Sequence, residues 1–352
     1  MAKAKTLIKG NHAMAEAAVR AGCNFFAGYP ITPQSELLEY MSWRLPEAGG
    51  QFIQSESEIS GISMIYGAAS CGFRAMTSSS GPGFDLMQEG ISYIAYAELP
   101  IVIVDLMRFA AGLGNITPAQ GDYLQIAKNG GHGDYRCIVL APGNLQEAVD
   151  NVAEAFDLAE KYRNPVIVAC DGAIGQMVEA VSFPDDIYKH NPDNNDYAIK
   201  HLRTEKRSTI GWGNVSDPNF SKNVLAKIEK MKSEARWEEF YTDDAEVVIV
   251  AYGTPSRICK EAVLEAREKG FKIGVLRLKT LWPFPVEGFE KLNPKAYLSV
   301  EMCSMPQMAE DVVNTVRGKT PVYSLVTGHL YPTISQVIEE AKKALEGKGK
   351  EV

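Results

Sequence analysis

The sequence predicts an α/β fold: a doubly wound parallel-sheet domain followed by a smaller α/β domain. Two observations carry this. Short Val/Ile/Leu-rich runs such as IVIVDLM (101–107) and PVIVA (165–169) are continuous rather than alternating, the pattern of strands buried on both faces. These runs alternate with stretches of helical period through the first 180 residues, and the alternation resumes from Ala245 after a polar interval.

Taken in order, Asn11–Ala21 reads as a helix, with Met14, Ala17, Ala18 and Ala21 at i, i+3, i+4, i+7 spacing and Gly22 to cap its end. A strand over Cys23–Ala27 and a helix over Glu36–Arg44 follow. Phe52–Gln54 reads as a strand, and Glu58–Ala69 as a helix rich in small residues. Next come strand Arg74–Ser78, helix Phe84–Ala97 and strand Ile101–Met107. Strand Cys137–Leu140, helix Leu145–Lys161 and strand Pro165–Ala169 complete a first domain expected over 1–182. Residues 183–243 are rich in Asn, Asp and Pro and then in mixed charge, helical near Asn223–Glu239; they read as a polar linker or excursion. The second domain, expected over 244–352, takes strand VVIVAYG (247–253), helix Pro255–Lys269, strand Lys272–Leu278 and strand AYLSVEM (296–302). Helix Met308–Arg317, strand Val322–Val326 and helix Ile334–Leu345 complete it.

Composition excludes several classes of function. The 352 residues carry a formal charge of −8 with no basic patch, so nucleic acid and an anionic membrane are not expected partners. No apolar run approaches the roughly 20 residues of a membrane span, and the N-terminal MAKAKTLIKGNH lacks the apolar core of a signal peptide. A cytoplasmic protein is expected. The six cysteines (23, 71, 137, 170, 259, 303) form no CxxC pair, which argues against zinc or an iron–sulfur cluster held by this chain. The five histidines show no paired spacing either. If the protein is a redox enzyme, its electron carrier lies elsewhere.

Four constellations could carry chemistry. In GYPITPQSE (28–36), Gly28, Pro30 and Pro33 force an irregular turn after a strand, where ligands bind in open α/β sheets. Thr32 and Ser35 could offer hydroxyls there; alternatively Thr32 or Gln34 merely caps the next helix. In QSESEISGISMIYGAASCG (54–72), Glu58 opens a helix and Glu56 is its local competitor. A glutamate in a helix's first turn is commonly a dipole-favoured surface residue, whereas a buried one would hydrogen-bond a ligand nitrogen. TSSSGPGFDLMQEG (77–90) is a hydroxyl- and Gly-rich loop able to cradle a polar group, although it is neither a P-loop nor GxGxxG. Arg108, at a strand's carboxyl end, could bind a carboxylate through two parallel hydrogen bonds or pair with a neighbouring acid. One decoy is set aside: Cys170-Asp171-Gly172 followed by Asn194-Asn195 imitates a diphosphate motif but lacks its first Gly.

Together GNHAMAEAAVRAG, GYPITPQSE, the QSESE…GAA helix, SSSGPGFDLMQEG, the Arg108 strand end, GGHGD (130–134) and RLKTLWPFP (277–285) resemble one family. It is the α subunit of 2-oxoacid:ferredoxin oxidoreductases, nearest the branched-chain (2-ketoisovalerate) subgroup. The resemblance implies a thiamine-diphosphate-binding, pyrimidine-type domain followed by a transketolase C-terminal-like domain. It implies a β subunit carrying the diphosphate-binding domain, with Mg2+ and the iron–sulfur clusters on partner subunits, together with γ and ferredoxin-like δ subunits. Glu58 matches the family's thiamine glutamate, nine residues before Gly67. A carboxyl group hydrogen-bonded to the pyrimidine N1′ favours the imino tautomer, whose N4′ removes the thiazolium C2 proton. Thr32 and Arg108 match binders of the substrate carboxylate, and Tyr29, Ile31, Ser80 and Gly81 fall at cofactor-binding positions. Coenzyme A would take the acyl group and ferredoxin the electrons.

After Arg108 the chain departs from many relatives: where they read Gly-Pro-Ser-Thr-Gly, this chain reads Phe109-Ala110-Ala111-Gly112-Leu113-Gly114-Asn115. The more apolar loop suits an aliphatic side chain, so 2-oxoisovalerate is expected ahead of 2-oxoglutarate or pyruvate. The alternatives are a non-catalytic assembly subunit and a Rossmann dehydrogenase. Retention of Glu58, Thr32 and Arg108 argues against the first, the missing GxGxxG against the second. Arg277, Lys279 and Trp282 are expected to shape an interdomain or intersubunit contact, and Tyr252–Pro255 a structural turn.

Overall fold

The computed structural model describes residues 5–109, 111–128, 131–199 and 218–352. Ala110 of the loop after Arg108, Gly130 of the GGHGD run and residues 200–217 of the polar interval lie outside the described residues.

The apolar runs pair side by side, because a strand without polar alternation has no face to offer water. Six strands form the parallel body of the larger sheet, in the order Ile138–Leu140, Pro165–Asp171, Ile101–Phe109, Ala75–Ser79, Phe25–Gly28, Gln51–Gln54. Alternate residues of its central strand enter two different cores. Ile101, Ile103 and Met107 face one set of helices, and Val102, Val104 and Leu106 the other. Helices Glu58–Ser70 and Pro82–Tyr96 cover the first face; helices Gly10–Arg20, Ser35–Glu47 and Leu145–Tyr162 cover the second. The five-stranded second sheet runs Trp237–Phe240, Ile273–Leu278, Val247–Ala251, Ala296–Glu301, Val322–Val326, parallel except for its first strand.

Most elements stand within two residues of their expected ends. Helix Ser35–Glu47 runs three residues past its expected end, and the larger departures concern the polar interval and RLKTLWPFP. The expected helix over 223–239 ends at Met231, and Trp237–Phe240 is an edge strand antiparallel to Ile273–Leu278. Thr280–Trp282 leaves the second sheet and adds an antiparallel strand to the first, beside Ile138–Leu140. Arg277 stands at this crossing, its side chain almost fully buried and paired with Glu147 of the first sheet's helix layer and with Glu238. The expected contact role of RLKTLWPFP thus takes a definite form, a strand exchanged between sheets. Thr6–Lys9 and Val178–Val181 pair in a separate two-stranded ribbon.

Further bonds join the two sheets near the strand ends. Gln120 exchanges two hydrogen bonds with the Met302 backbone, at 2.6 and 3.0 Å, and donates through Nε2 to Tyr252 O at 3.1 Å. Tyr123 Oη donates to Asp311 Oδ2 at 2.6 Å. Asp171, fully buried, accepts from Ala173 N and Ile174 N of its own turn and from Thr254 N and Oγ1 of the second sheet. Its oxygens are therefore engaged by protein donors, and Asn195 donates to Gly72 O, consistent with setting the diphosphate decoy aside. Replacing Asp171 with Ala removes a cap and the acceptor of Thr254 together. The unfolding free energy should fall by about 2 kcal/mol. A denaturation midpoint equal to wild type would contradict the joint described.

Candidate active site

The strands Ile101–Phe109, Ala75–Ser79, Phe25–Gly28 and Gln51–Gln54 are consecutive neighbours and parallel, so the loops after them open on one edge of the sheet. That edge collects Arg108, Ser80–Gly83, Tyr29–Gln34 and Glu58, residues up to 79 positions apart in sequence (108 − 29).

Glu58 is 6% exposed, whereas Glu56 is exposed, so of the two only Glu58 faces the interior. Ser57 caps the helix by accepting from Ser60 N, leaving the Glu58 carboxylate free of a capping task. No hydrogen bond to that carboxylate occurs among the described residues. Its neighbour is Gly83: a Cβ there would overlap both Glu58 Oε1 and Ser79 Oγ. Glu58 and Ser79 thus converge over a position that only glycine leaves open. Ser79 and Ser80 are fully buried, and neither hydroxyl has a partner among the described residues. A buried carboxyl group beside buried hydroxyls leaves polar atoms that a ligand can engage.

The GYPITPQSE loop is pinned from behind. Gln34, fully buried, donates to Tyr29 O at 2.8 Å and accepts from Ser78 Oγ at 3.1 Å. It stands at the N-cap, yet neither it nor Thr32 caps the helix with a side chain; its amide instead stitches the turn to the next strand. Asn11 Nδ2 holds Pro33 O at 2.8 Å. Tyr29 and Thr32 remain exposed at the mouth, with Ile31 half-buried.

Arg108 is 6% exposed and reaches under this loop, with Nη1 donating to Thr32 O at 2.9 Å and Nη2 to Leu113 O at 2.7 Å. Among the described residues, two of its five N–H donors are engaged and the buried Nε has no partner. Neither contact is the neighbouring acid that the surface reading required. Gly81 adopts φ +45°, which favours glycine, and a Cβ there would press on Arg108 Nε at 3.3 Å. A cleft of about 370 Å³ opens beside Thr32, with Ile116, Pro118 and Gln176 among its walls. The expected residues Glu58, Ser80, Gly81, Thr32 and Arg108 come together, with Tyr29 and Ile31 on the adjoining turn. Sequence reasoning missed Ser79, Gly83 and Gln34; the TSSSGPG run held the first two, but nothing in it pointed toward Glu58.

A family model described as "Pyruvate flavodoxin/ferredoxin oxidoreductase, thiamine diP-bdg" matches residues 16–241, and one for the "Pyruvate:ferredoxin oxidoreductase core domain II" matches 245–344. The chain belongs to the 2-oxoacid:ferredoxin oxidoreductases. The ketoisovalerate oxidoreductase subunit VorB of Methanothermobacter thermautotrophicus is 48% identical over 88% of this chain and 89% of its own. The 2-oxoglutarate synthase subunit KorA of Methanocaldococcus jannaschii is 41% identical over 84% and 87%. A solved 2-oxoglutarate:ferredoxin oxidoreductase from Magnetococcus marinus superposes with a TM-score of 0.78 at 24% identity, covering 97% of this chain and 66% of that one. The α/β architecture is shared with it. This chain is accordingly one subunit of a 2-oxoacid:ferredoxin oxidoreductase with thiamine diphosphate as cofactor.

The buried glutamate, its glycine neighbour and the two orphaned hydroxyls fit such a cofactor. Gly83→Ala should displace the Glu58 carboxylate while leaving the helix intact, because alanine favours that conformation. Thiamine diphosphate should then bind the assembled enzyme at least about tenfold more weakly, a loss of roughly 1.4 kcal/mol. Unchanged affinity by fluorescence titration would contradict the packing of Glu58 against Gly83.

Proposed function

We propose that this chain is the α subunit of an enzyme that oxidatively decarboxylates 2-oxoisovalerate to an acyl-coenzyme A and CO2, with electrons passing to ferredoxin. The observation that carries the reading is buried Glu58, whose carboxyl group has no hydrogen-bond partner among the described residues, on the same sheet edge as buried Arg108. Thiamine diphosphate, when bound, supplies the electron sink for decarboxylation. Glu58 holds a proton at the pyrimidine N1′, acting as the site's general acid–base group. Burial there excludes water that would otherwise compete for that proton. Ser80 and Gly81, with Tyr29 and Ile31 across the turn, border the same space. Arg108 binds the 2-oxoacid carboxylate through its free Nε–H and a second N–H, with the Thr32 hydroxyl at the mouth beside it.

Substrate choice rests on the loop after Arg108. Ile116 lines the cleft beside Thr32, and Leu113 presents an exposed apolar side chain at the loop's tip. An aliphatic substrate side chain is accommodated there at less desolvation cost than a second carboxylate. The ketoisovalerate relatives point the same way. We divide the chain into a pyrimidine-binding domain over 1–182, a connecting stretch over 183–243 and a transketolase C-terminal-like domain over 244–352. A β subunit completes the site by holding the diphosphate and Mg2+, and the iron–sulfur clusters belong to partner subunits, including γ and a ferredoxin-like δ.

The test is 2-oxoacid-dependent viologen reduction by the complex purified through a tag on this chain, given thiamine diphosphate and coenzyme A. Wild type should prefer 2-oxoisovalerate to pyruvate and 2-oxoglutarate. Glu58→Gln should lower kcat by about 10²-fold or more with the complex still assembled. Preference for 2-oxoglutarate would overturn the substrate assignment, and full activity in Glu58→Gln the site.

A further inference from the structure

The segment after Arg108, which the proposed chemistry sets against the substrate's side chain, is met at both ends by the second sheet. Strands Ala296–Glu301 and Val322–Val326 are parallel neighbours, so the turns that follow them lie side by side. The first turn grips the far end of the segment: Gln120 N donates to Met302 O at 2.6 Å, and Met302 N to Gln120 Oε1 at 3.0 Å. The second turn reaches the near end. Phe109, next to Arg108 and the last residue of its strand, is half-buried. The ring of His329 packs on the Phe109 ring with centroids 5.0 Å apart and planes inclined at 60°. That separation falls within the range over which aromatic pairs attract. Gly328 lies alongside: a Cβ there would stand 3.6 Å from Phe109 Cε2, and its φ of +63° favours glycine.

The turn that carries His329 is fixed independently of this contact. Thr327 N donates to Glu301 O at 3.1 Å and Gly328 N to Cys303 O at 3.0 Å, tying it to the second sheet. Leu330 N donates to Thr327 O at 3.1 Å and Thr327 Oγ1 to Leu330 O at 2.6 Å, closing it on itself. His329 itself is exposed, and among the described residues its ring meets no other ring than that of Phe109. On the first domain's side, the pairing of strands Ile101–Phe109 and Asn115–Pro118 shifts register between Arg108 and Phe109. The place where Phe109 is held therefore sets the course on which the loop leaves its strand.

Resting on the reading of Arg108 and its loop given above, we propose that His329 is a positioning residue for the substrate: from the second domain its ring holds Phe109, and Phe109 fixes the loop that meets the 2-oxoacid's side chain. The domain that bears none of the expected cofactor or substrate residues thereby takes part in selecting the substrate. Loss of the ring pair frees the near end of the loop, while the bond from Arg108 Nη1 to Thr32 O and the surroundings of Glu58 are left as they were. Substrate is then held less well in the ground state and the transition state alike, which raises KM and spares kcat. A ring contact that served folding alone would lower the melting temperature and leave KM where it was.

The experiment measures 2-oxoisovalerate-dependent viologen reduction by the assembled complex of wild type, His329→Ala, His329→Phe, Phe109→Leu, the double variant His329→Ala with Phe109→Leu, and Arg108→Met. His329→Ala should raise KM roughly fivefold, the size of one aromatic pair, with kcat within about twofold of wild type. His329→Phe, which keeps a ring, should restore the wild-type KM. In the Phe109→Leu background His329→Ala should raise KM no further, because the two side chains act as one pair. A wild-type KM in His329→Ala, a KM raised equally in His329→Phe, a further rise in the double variant, or failure of His329→Ala to assemble overturns the inference. If Arg108→Met raises KM but His329→Ala does not, the inference alone fails. If Arg108→Met leaves KM unchanged, the reading of the arginine falls with it.

Discussion

A carboxylate taken out of water without a partner is among the costlier things a fold can hold, by several kcal/mol for an isolated ion. Glu58 is 6% exposed with no hydrogen-bond partner among the described residues, and its immediate neighbours are arranged around it. The helix it opens is capped by Ser57, so the carboxylate is not drawn into a cap. The N-terminal end of that helix favours negative charge, which offsets part of the burial. Glycine at 83 leaves the space the carboxylate occupies, and Ser79 approaches from the adjacent strand. Each arrangement makes sense if the missing partner is a ligand nitrogen.

The second sheet contributes rigidity to this edge. Gln120, Tyr123 and Asp171 stand near the carboxyl ends of the first sheet's strands, and each is bonded to the second sheet through Met302, Tyr252, Asp311 or Thr254. The exchanged strand Thr280–Trp282 ties the opposite side of the first sheet to the same body. The loop after Arg108 is thereby held at its base while its tip, with Leu113, stays open to solvent. On the proposed reading, the guanidinium of Arg108 holds the carboxylate common to 2-oxoacids while the loop after it meets the substrate's side chain.

Much of the fold was legible because parallel strands write themselves as continuous apolar runs and the helices between them keep a clear period. Glu58, Thr32 and Arg108 were legible because each lies at a strand or helix end, where ligands gather in this architecture. The strands Trp237–Phe240 and Thr280–Trp282 were not. The first is half-polar and the second three residues long, and both are fixed by partners far away in sequence. Ser79 and Gly83 stayed hidden for the same reason. A serine in a hydroxyl-rich run reads as one more solvent-facing hydroxyl until the neighbouring strands are in place. Gln34 looked like a helix cap, and only the packing of the turn on Ser78 reveals its actual task.

Glu58 is proposed as the group that moves a proton at the bound cofactor. The most direct measurement is the rate at which the thiazolium C2 proton of thiamine diphosphate exchanges with deuterium in the assembled complex, followed by NMR after acid quench. With the cofactor bound in both proteins, Glu58→Gln should slow exchange by about 10²- to 10⁴-fold. Exchange as fast as in wild type would contradict the account and leave the buried carboxylate without the role its surroundings imply.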